Sequence, residues 1–200
     1  MFADLDQIDI APTMFSEDLQ LDDKILDFKF DKFRKCVYYH VKNGIFRKCY
    51  GNKEQIAKPP ILLIEDITIM GIEFDYMNHD LFYFSKHEIK ALNLKSLVKT
   101  TVYITKNFIR FLKLDVSNQK MIISYLEKET MVSKISVLTF SATVEKVTFD
   151  FEKDIHEIIL YHYAVDILSS EGIFEYRVSR KQVKQVSFVF KKRYMTPFQI

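Results

Sequence analysis

Apolar and polar residues alternate through much of this chain with the period of two that is typical of half-buried β-strands. Cys36–Val41 is rich in β-branched and aromatic residues, and it predicts an early strand. Lys42-Asn43-Gly44 has the composition of a turn, because Asn and Gly tolerate positive φ. It therefore predicts a hairpin that returns through Ile45–Tyr50, and a polar loop from Gly51 to Pro60 follows.

Two short apolar segments, Ile61–Ile64 and Gly71–Phe74, flank a small polar turn. The Pro59-Pro60 pair favours an extended entry into the first segment, since the ring of a proline disfavours helix in the residue before it. The pattern predicts a second hairpin or a bulged corner at this point.

The second half of the chain also has mostly strand-like patterns. Strands are predicted at Thr100–Thr105 and Asn107–Asp115, and Met121–Leu126 fits either a strand or a helix. Three sequential antiparallel strands are then predicted, with a fourth near the end and no internal repeat. These segments are Ile135–Phe151, Ile155–Ile167, Gly172–Val178 and Val183–Phe190.

Only short helices are predicted. Ser16 is a suitable cap for a helix to about Lys24, and Ser85-Lys-His-Glu88 has the spacing of a capping box. Because crossover helices of 10 to 15 residues do not recur, parallel winding is disfavoured. We expect a mainly β (α+β) fold, an antiparallel sheet closed or nearly closed into a barrel, since closure removes exposed strand edges.

Composition agrees with a dense globular chain of 200 residues. Hydrophobic residues make up 48%, and there are only four glycines and four prolines, which supports a stable core without disulfides. Cys36 and Cys49 predict no disulfide framework, as in a reducing compartment. No apolar stretch reaches the length of a membrane span, and the acidic start does not resemble a signal peptide. These observations predict a cytoplasmic protein without a membrane span.

Charge separates the two ends of the chain more strongly than the net charge of +2 indicates. Residues 1–31 carry nine acids and two lysines, whereas residues 176–200 carry seven bases and no acid. We interpret residues 1–30 as an acidic arm with a short helix, 31–175 as the β-barrel domain and 176–200 as a basic segment. Ends of opposite charge can attract each other, or each can bind a partner of its own.

Asp66, Thr68 and Gly71 form the most specific pattern in the sequence. Asp and Thr can hydrogen-bond nearby backbone amides or the base edge and ribose of a nucleotide, and Gly allows close approach of a ligand or strand. The alternative is a turn held by its own side chains.

This turn resembles the second motif of PilZ domains, Asp/Asn-x-Ser-x-x-Gly. Asp66 and Gly71 match, Thr68 replaces Ser, and Ile72-Glu73-Phe74 continues the pattern. The resemblance spans about residues 30–170 and implies an antiparallel six-stranded barrel with a few short flanking helices. It also implies cyclic di-GMP as a ligand of Asp66, Thr68 and Gly71.

The first PilZ motif, Arg-x-x-x-Arg ahead of the barrel, is absent upstream of Asp66. Such arginines make forked contacts to guanine edges and phosphates. The nearest upstream basic pairs are Arg34 with Lys35 and Arg47 with Lys48, and neither has this spacing. Arg34 and Lys35 are the upstream candidates to reach the phosphates. On the C-terminal side, Arg177, Arg180 and Lys181 have approximately the right spacing.

No catalytic or metal-binding constellation is predicted. Cys36, His40 and Cys49 lack the paired short spacings of a structural zinc site. His156 and His162 have no recognisable nucleophile nearby, so we expect no enzyme and no cofactor.

The sequence therefore predicts a non-enzymatic bacterial signalling adaptor that binds cyclic di-GMP or, with a degenerate site, a protein partner. A structural or assembly protein with oppositely charged ends is the alternative. A nucleic-acid-binding module is a third interpretation, because aromatic residues are interleaved with the C-terminal bases. The oligomeric state is left open.

Overall fold

A computed structural model describes residues 24–141, 144–151, 155–161, 164–169, 172–177 and 182–186 of the chain. These residues form sixteen β-strands and one short helix. Within this part of the chain, no helix is long and apolar enough to cross a membrane. The Ser16 helix and the residues Arg180 and Lys181 lie outside the described residues.

The strands form four separate four-stranded sheets, each assembled from strands consecutive in the chain. Sheet 1 contains β1 (Asp27–Asp31), β2 (Cys36–Val41), β3 (Gly44–Cys49) and β4 (Ile61–Glu65), with helix α1 (Lys53–Ala57) between β3 and β4. Sheet 2 contains β5 (Gly71–Asp75), β6 (Asp80–Phe84), β7 (Glu88–Asn93) and β8 (Lys99–Ile104). Sheet 3 contains β9 (Phe108–Asp115), β10 (Lys120–Leu126), β11 (Ser133–Thr139) and β12 (Val144–Phe151). Sheet 4 contains β13 (Ile155–Tyr161), β14 (Ala164–Ser169), β15 (Gly172–Arg177) and β16 (Gln182–Val186).

The mainly β, antiparallel prediction is confirmed, but the six-stranded barrel is wrong. No sheet in the described part of the chain closes on itself, and strand pairing stops after every fourth strand. Successive four-stranded antiparallel sheets are the arrangement of β-propeller blades. This arrangement is also a structural repeat, which the sequence analysis did not detect.

The hairpin predicted around Asn43 is confirmed, and it brings together two residues whose pairing was not predicted. In the register of β2 and β3, Cys36 lies opposite Cys49, and a disulfide joins them with a Cα–Cα distance of 4.0 Å. The expectation that these cysteines remain unpaired is therefore wrong. Directly opposite residues on antiparallel strands bring their Cβ atoms within disulfide reach.

Two other local predictions are corrected. The two apolar segments beside the Asp66 turn are strands, but they do not pair as a hairpin. Ile61–Ile64 belongs to sheet 1, and Gly71–Phe74 belongs to sheet 2. The Ser85–Glu88 capping box does not start a helix. It is a turn between β6 and β7 in which the Ser85 amide donates to the Glu88 carbonyl at 2.9 Å. The apolar side chains that follow, including Ile89 and Leu92, are buried as strand residues.

The chain divides into two compact units, Met1–Ile72 and Glu73–Ile200. In the second unit, apolar faces of sheets 2 and 3 share one buried cluster that includes Phe82, Ile89, Ile109 and Met121. Sheets 3 and 4 share another, which includes Ile122 and Ile158. Sheet 3 is therefore buried on both faces, and β10 carries successive apolar residues instead of an alternating pattern. For this reason the sequence fitted either a strand or a helix at this segment.

In the first unit, sheet 1 has a smaller apolar cluster. It is formed by Val37, Tyr39 and Val41, with Ile25, Phe46 and Tyr50 packed against it. The rings of Tyr39 and Phe46 stack with centroids 5.6 Å apart. The candidate surfaces of the first unit are the two faces of this sheet.

Candidate functional site

The predicted ligand turn, Asp66 to Gly71, connects β4 to β5. Asp66 Oδ1 accepts hydrogen bonds from the Thr68 amide at 2.8 Å and from the Thr68 hydroxyl at 2.7 Å. The Asp66 amide donates to the Asn43 carbonyl at 3.2 Å, beside the β2–β3 turn. Gly71 is buried at the start of β5. The geometry is that of a turn held by its own side chains.

Arg34 and Lys35 lie in the turn between β1 and β2. The Arg34 amide donates to Asp31 Oδ1 at 3.1 Å, and Lys35 adopts a positive φ of 52°. This turn adjoins Cys36, whereas the Asp66 turn adjoins the opposite end of the β2–β3 hairpin. A six-residue strand separates the two ends by roughly 17 Å. The fold therefore does not bring the Arg34 and Asp66 turns together.

Arg177 is the last residue of β15 in the second unit. It pairs with Ala164 on one side and Gln182 on the other in the backbone register.

One face of sheet 1 carries buried polar residues, and we call Asp27, Asp31, Tyr38, His40 and Arg47 the polar face. The strand register aligns Lys29, Tyr38 and Arg47 in one cross-strand row and aligns Asp27 with His40 in the next. Asp31, Tyr38 and His40 are almost fully buried. Asp27 Oδ2 accepts a hydrogen bond of 3.0 Å from the Ile72 amide.

Burial and nearby charges shift two pKa values on the polar face. Burial raises the pKa of the Tyr38 phenol, and the Asp31 carboxylate adds to the increase. Arg47 and Arg34 oppose it, and Arg34 also hydrogen-bonds the phenol. Burial lowers the pKa of His40, while Asp27 opposes that shift. Arg34 thus interacts with Tyr38, a partner that the sequence did not predict.

Some buried polar atoms of this face have no hydrogen-bond partner among the described residues. They are Asp31 Oδ2, His40 Nδ1 and Arg47 Nε. Within the same residues, no group of three His, Cys, Asp or Glu side chains is arranged to hold a metal ion.

The other face of sheet 1 exposes large apolar side chains, and we call Leu26, Phe28, Phe30 and Leu62 the phenylalanine face. Phe28 and Phe30 lie opposite Tyr39 and Val37 in the β1–β2 register, and Leu62 lies opposite Phe46. Leu26 is 54% exposed, Phe28 63% and Phe30 46%. Between these exposed side chains, Val37 and Tyr39 are buried and Phe46 is half-buried. The exposed apolar surface therefore lies along β1 and at Leu62 on β4.

A cleft of about 480 Å³ lies in the second unit, and we call it the Phe108 cleft. Its lining comes from the turns that follow β6, β8 and β10. The lining residues are His87, Lys106, Phe108, Leu126, Lys128 and Met131.

Sequence reasoning missed both the phenylalanine face and the Phe108 cleft. Leu26, Phe28 and Phe30 alternate with polar residues in and beside β1, a strand that begins within the predicted acidic arm. Alternation alone does not show which face of a strand is covered. The cleft residues come from three turns that are distant in sequence, so no local motif marks them.

The sequence matches no protein-family model and no curated protein. Three solved structures are similar to this chain at 10 or 11% sequence identity. The AfRom2 CNH domain has a TM-score of 0.61, over 83% of this chain and 56% of that chain, at 10% identity. A chain of a Nidogen/Laminin complex has a TM-score of 0.51, over 80% and 78%, at 10% identity. Hsv2 of Kluyvelomyces marxianus has a TM-score of 0.53, over 80% and 47%, at 11% identity.

At such low identity, these similarities concern the fold alone. This chain spans 56% of the CNH domain and 47% of Hsv2, so both of those chains are considerably longer than the matched region. None of the three structures is described as a PilZ domain.

Proposed function

We propose that this protein is a non-catalytic assembly module that associates with a second copy of itself through the phenylalanine face. The observation that carries the proposal is the exposure of Phe28 and Phe30 on one face of the edge strand β1, next to Leu26, which directly precedes that strand. Large contiguous apolar patches on soluble proteins mark interaction surfaces. A face-to-face contact around a two-fold axis is the simplest closed assembly, because the same patch meets itself.

The size of the surface sets the expected strength of association. The exposed parts of the four side chains amount to on the order of 400 Å² of apolar surface per copy. Two copies would bury about 800 Å², which is below the roughly 1,200 to 2,000 Å² of a stable interface. Phe33, which is 78% exposed in the adjoining turn, can extend the contact. The proposal therefore predicts a weak, concentration-dependent dimer.

One comparison supports protein binding in general. One of the similar structures belongs to a complex between nidogen and laminin. The sheet stacking within the second unit shows how this sequence covers apolar faces, since sheets 2, 3 and 4 share buried clusters between them.

Sedimentation velocity at chain concentrations from about 5 to 500 μM tests the proposal, because a dimer with a micromolar dissociation constant becomes populated within this range. The double variant Phe28→Ser/Phe30→Ser removes most of the exposed apolar surface. We expect the wild-type chain to dimerise with concentration and the double variant to dimerise at least tenfold more weakly. Ile104→Ser is the matched control, because Ile104 is also highly exposed but lies on β8.

A wild-type chain that stays monomeric across the range overturns the proposal. The same is true if the Ile104→Ser control weakens association as much as the double variant does. Thermal unfolding of the monomeric variants checks that they remain folded.

Salt distinguishes this interface from association of the oppositely charged ends. Residues 1–31 and 176–200 would attract each other less at high salt because ions screen exposed charges. Apolar association is maintained or strengthened under the same conditions. Sedimentation at 50 mM and 500 mM salt separates the two contacts.

Cyclic di-GMP binding by Asp66, Thr68 and Gly71 stays a prediction of the sequence resemblance. Isothermal titration with cyclic di-GMP tests it independently of dimerisation. No heat at near-millimolar ligand would remove the second-messenger role and leave the assembly proposal unaffected.

A further inference from the structure

The Phe108 cleft combines an apolar floor with a basic rim. Phe108 and Leu126 are half-buried in its floor, and Met131 is 66% exposed at its edge. Lys86 Nζ lies 5.8 Å from the centroid of the Phe108 ring, within the range of a cation–π contact. The cleft thus presents apolar and cationic groups to the same small volume.

Positive charges outnumber negative ones around the cleft. The four lysines in or beside the three turns are Lys86, Lys106, Lys128 and Lys134, and the three acids are Glu88, Glu127 and Glu129. Glu88 is held by Lys90 at 2.7 Å. Glu127 is held by Lys134 at 2.9 Å and accepts a hydrogen bond of 2.6 Å from the Thr130 hydroxyl.

Glu129, the acid that pairs with the lining residue Lys106, can be displaced easily by another anion. Lys106 and Glu129 form an ion pair of 2.9 Å, but their side chains are 75% and 74% exposed. Ion pairs at such exposure contribute little to stability. An anionic ligand can therefore take the place of Glu129 against Lys106 at small cost.

The rim is preorganised by hydrogen bonds between its turns. The Thr105 amide donates to the His87 carbonyl at 2.9 Å, and the Ile109 amide donates to the Lys86 carbonyl at 2.8 Å. His87 Nδ1 lies 3.0 Å from the Asn107 carbonyl oxygen, and the Lys128 amide donates to Asn107 Oδ1 at 3.3 Å. A rim fixed in this way loses little conformational entropy when a ligand binds.

We infer that the Phe108 cleft binds an extended peptide in which acidic and bulky apolar side chains are interspersed, and that residues 2–10 of a second copy of this chain supply it. Their sequence is Phe-Ala-Asp-Leu-Asp-Gln-Ile-Asp-Ile, with three acids and no base. In an extended peptide, Asp6 and Ile8 point to the same side about 7 Å apart. With such a spacing, the carboxylate can meet a rim lysine while the apolar side chain contacts the floor, where Lys86 Nζ lies 5.8 Å from the centroid of the Phe108 ring.

The cleft and the phenylalanine face are separate surfaces, so this inference does not depend on the proposed function. Charge complementarity supports the choice of occupant, because the whole segment 1–23 carries seven acids and no base. Twenty-three residues precede the first described one, and such a length of extended chain can span tens of ångströms.

Fluorescence anisotropy of a labelled synthetic peptide with the sequence of residues 2–10, titrated with the full-length chain, tests the cleft. We expect saturable binding that weakens at least tenfold in the double variant Lys106→Glu/Lys128→Glu and in Phe108→Ala. Lys95→Glu/Lys99→Glu is the matched control, because it makes the same charge change at exposed positions away from the cleft. A peptide with Asn at all three Asp positions should also bind at least tenfold more weakly.

Absence of saturable binding up to 1 mM chain overturns the inference. Equal weakening by the cleft and control double variants also overturns it, because that result shows attraction to net charge alone. Circular dichroism and thermal unfolding verify that Phe108→Ala is folded; if it is not, the two lysine double variants decide the result.

A second measurement tests the identity of the occupant. Any self-association that remains in Phe28→Ser/Phe30→Ser is attributed to the cleft. The full-length variant Asp4→Asn/Asp6→Asn/Asp9→Asn should lose that contribution. If the peptide binds but this variant associates like the wild-type chain, the second copy is excluded as the source of the segment. That result overturns the assignment of residues 2–10 of a second copy as the occupant.

Discussion

Cys36 and Cys49 lie directly opposite each other on β2 and β3, and their disulfide closes the hairpin at the end remote from its turn. A loop closed over a sequence separation of 13 residues is expected to stabilise the fold by about 3 kcal/mol, mainly by restricting the unfolded chain. We predict that Cys36→Ser/Cys49→Ser lowers the free energy of unfolding by about 2 to 3 kcal/mol in urea titrations.

Reduction of the wild-type chain should reproduce this loss, whereas a reducing agent should have no effect on the double variant. Two titratable thiols in the unreduced, denatured wild-type chain would contradict the disulfide.

Gly44 permits close contact between β3 and β4. Its φ is +151°, and a Cβ atom at this position would overlap the carbonyl oxygen of Ile64. We predict that Gly44→Ala destabilises the chain by about 2 kcal/mol or more, since a backbone atom cannot move aside without breaking the strand pairing. Chemical denaturation of purified variants measures the loss.

Gly51→Ala is the matched control for Gly44→Ala. The atom nearest to its added Cβ is Gln55 Oε1 at 2.6 Å, the end of a half-buried side chain that accepts a hydrogen bond from the Gly51 amide. A side-chain end can shift at the cost of that one hydrogen bond, whereas a backbone carbonyl in a strand cannot. The Gly51 substitution should cost less than half as much. Equal costs would show that loss of glycine flexibility, and not the strand contact, accounts for the effect.

His40 should make stability depend on pH, because burial lowers its pKa in the folded chain. The unfolded chain then binds a proton near pH 6.5 that the folded chain does not bind until lower pH. The contribution is fully present above about pH 6.5 and is lost as pH falls through the folded-state pKa.

Urea titrations at pH 7.5 and 5.5 compare the wild-type chain with His40→Gln, which retains polarity but does not titrate. We expect the wild-type chain to lose more stability than the variant between these two pH values. Parallel losses would mean that His40 does not cause the change.

Asp166 on β14 lies opposite Glu175 on β15. Burial raises the pKa of Asp166, and the Glu175 carboxylate adds to the increase. Because the folded-state pKa is raised, the stabilising contribution is present below the unfolded value near 3.9 and is lost as pH rises through the folded-state pKa. Like charges in directly opposite positions cost about 0.2 to 1 kcal/mol.

We therefore predict that Asp166→Asn raises the free energy of unfolding by about 0.2 to 1 kcal/mol at pH 7 and that the gain disappears near pH 3. Denaturation at the two pH values checks it. Glu157→Gln, at an exposed acid on the neighbouring β13, is the control for the change in net charge. A comparable gain from that control would assign the effect to net charge.

Part of the repeat was visible in the sequence but was not recognised. Asp31, Asp75 and Asp115 each end the first strand of a sheet, and each accepts an amide hydrogen bond from the turn that follows. The residues four positions later, Lys35, His79 and Gln119, all have positive φ. These turns recur at about 40-residue intervals, a period typical of propeller blades.

The disulfide was also within reach of sequence reasoning. Once a hairpin is centred on Lys42 and Asn43, its register places Cys36 opposite Cys49. The prediction failed because the cysteines were judged by their number and spacing and not by the register of the predicted hairpin. The helix predicted at Ser85 failed for a different reason, since the buried apolar side chains after it pack as a strand and tertiary packing overrides a local capping pattern.

The sequence by itself determined that most of the chain forms strands and where the Asn43 hairpin turns, because period-two alternation and turn chemistry act between near neighbours. It did not separate β11 from β12 or β13 from β14, since Ile135–Phe151 and Ile155–Ile167 were each predicted as one strand. Only the tertiary structure decided that pairing stops after every fourth strand, that Arg34 lies beside Tyr38, and that Phe28 and Phe30 stay exposed. The physical reason is that alternation is the same in a barrel strand and in a propeller-type sheet. Which sheet a strand joins, and whether its apolar face is covered, depend on packing between residues that are distant in sequence.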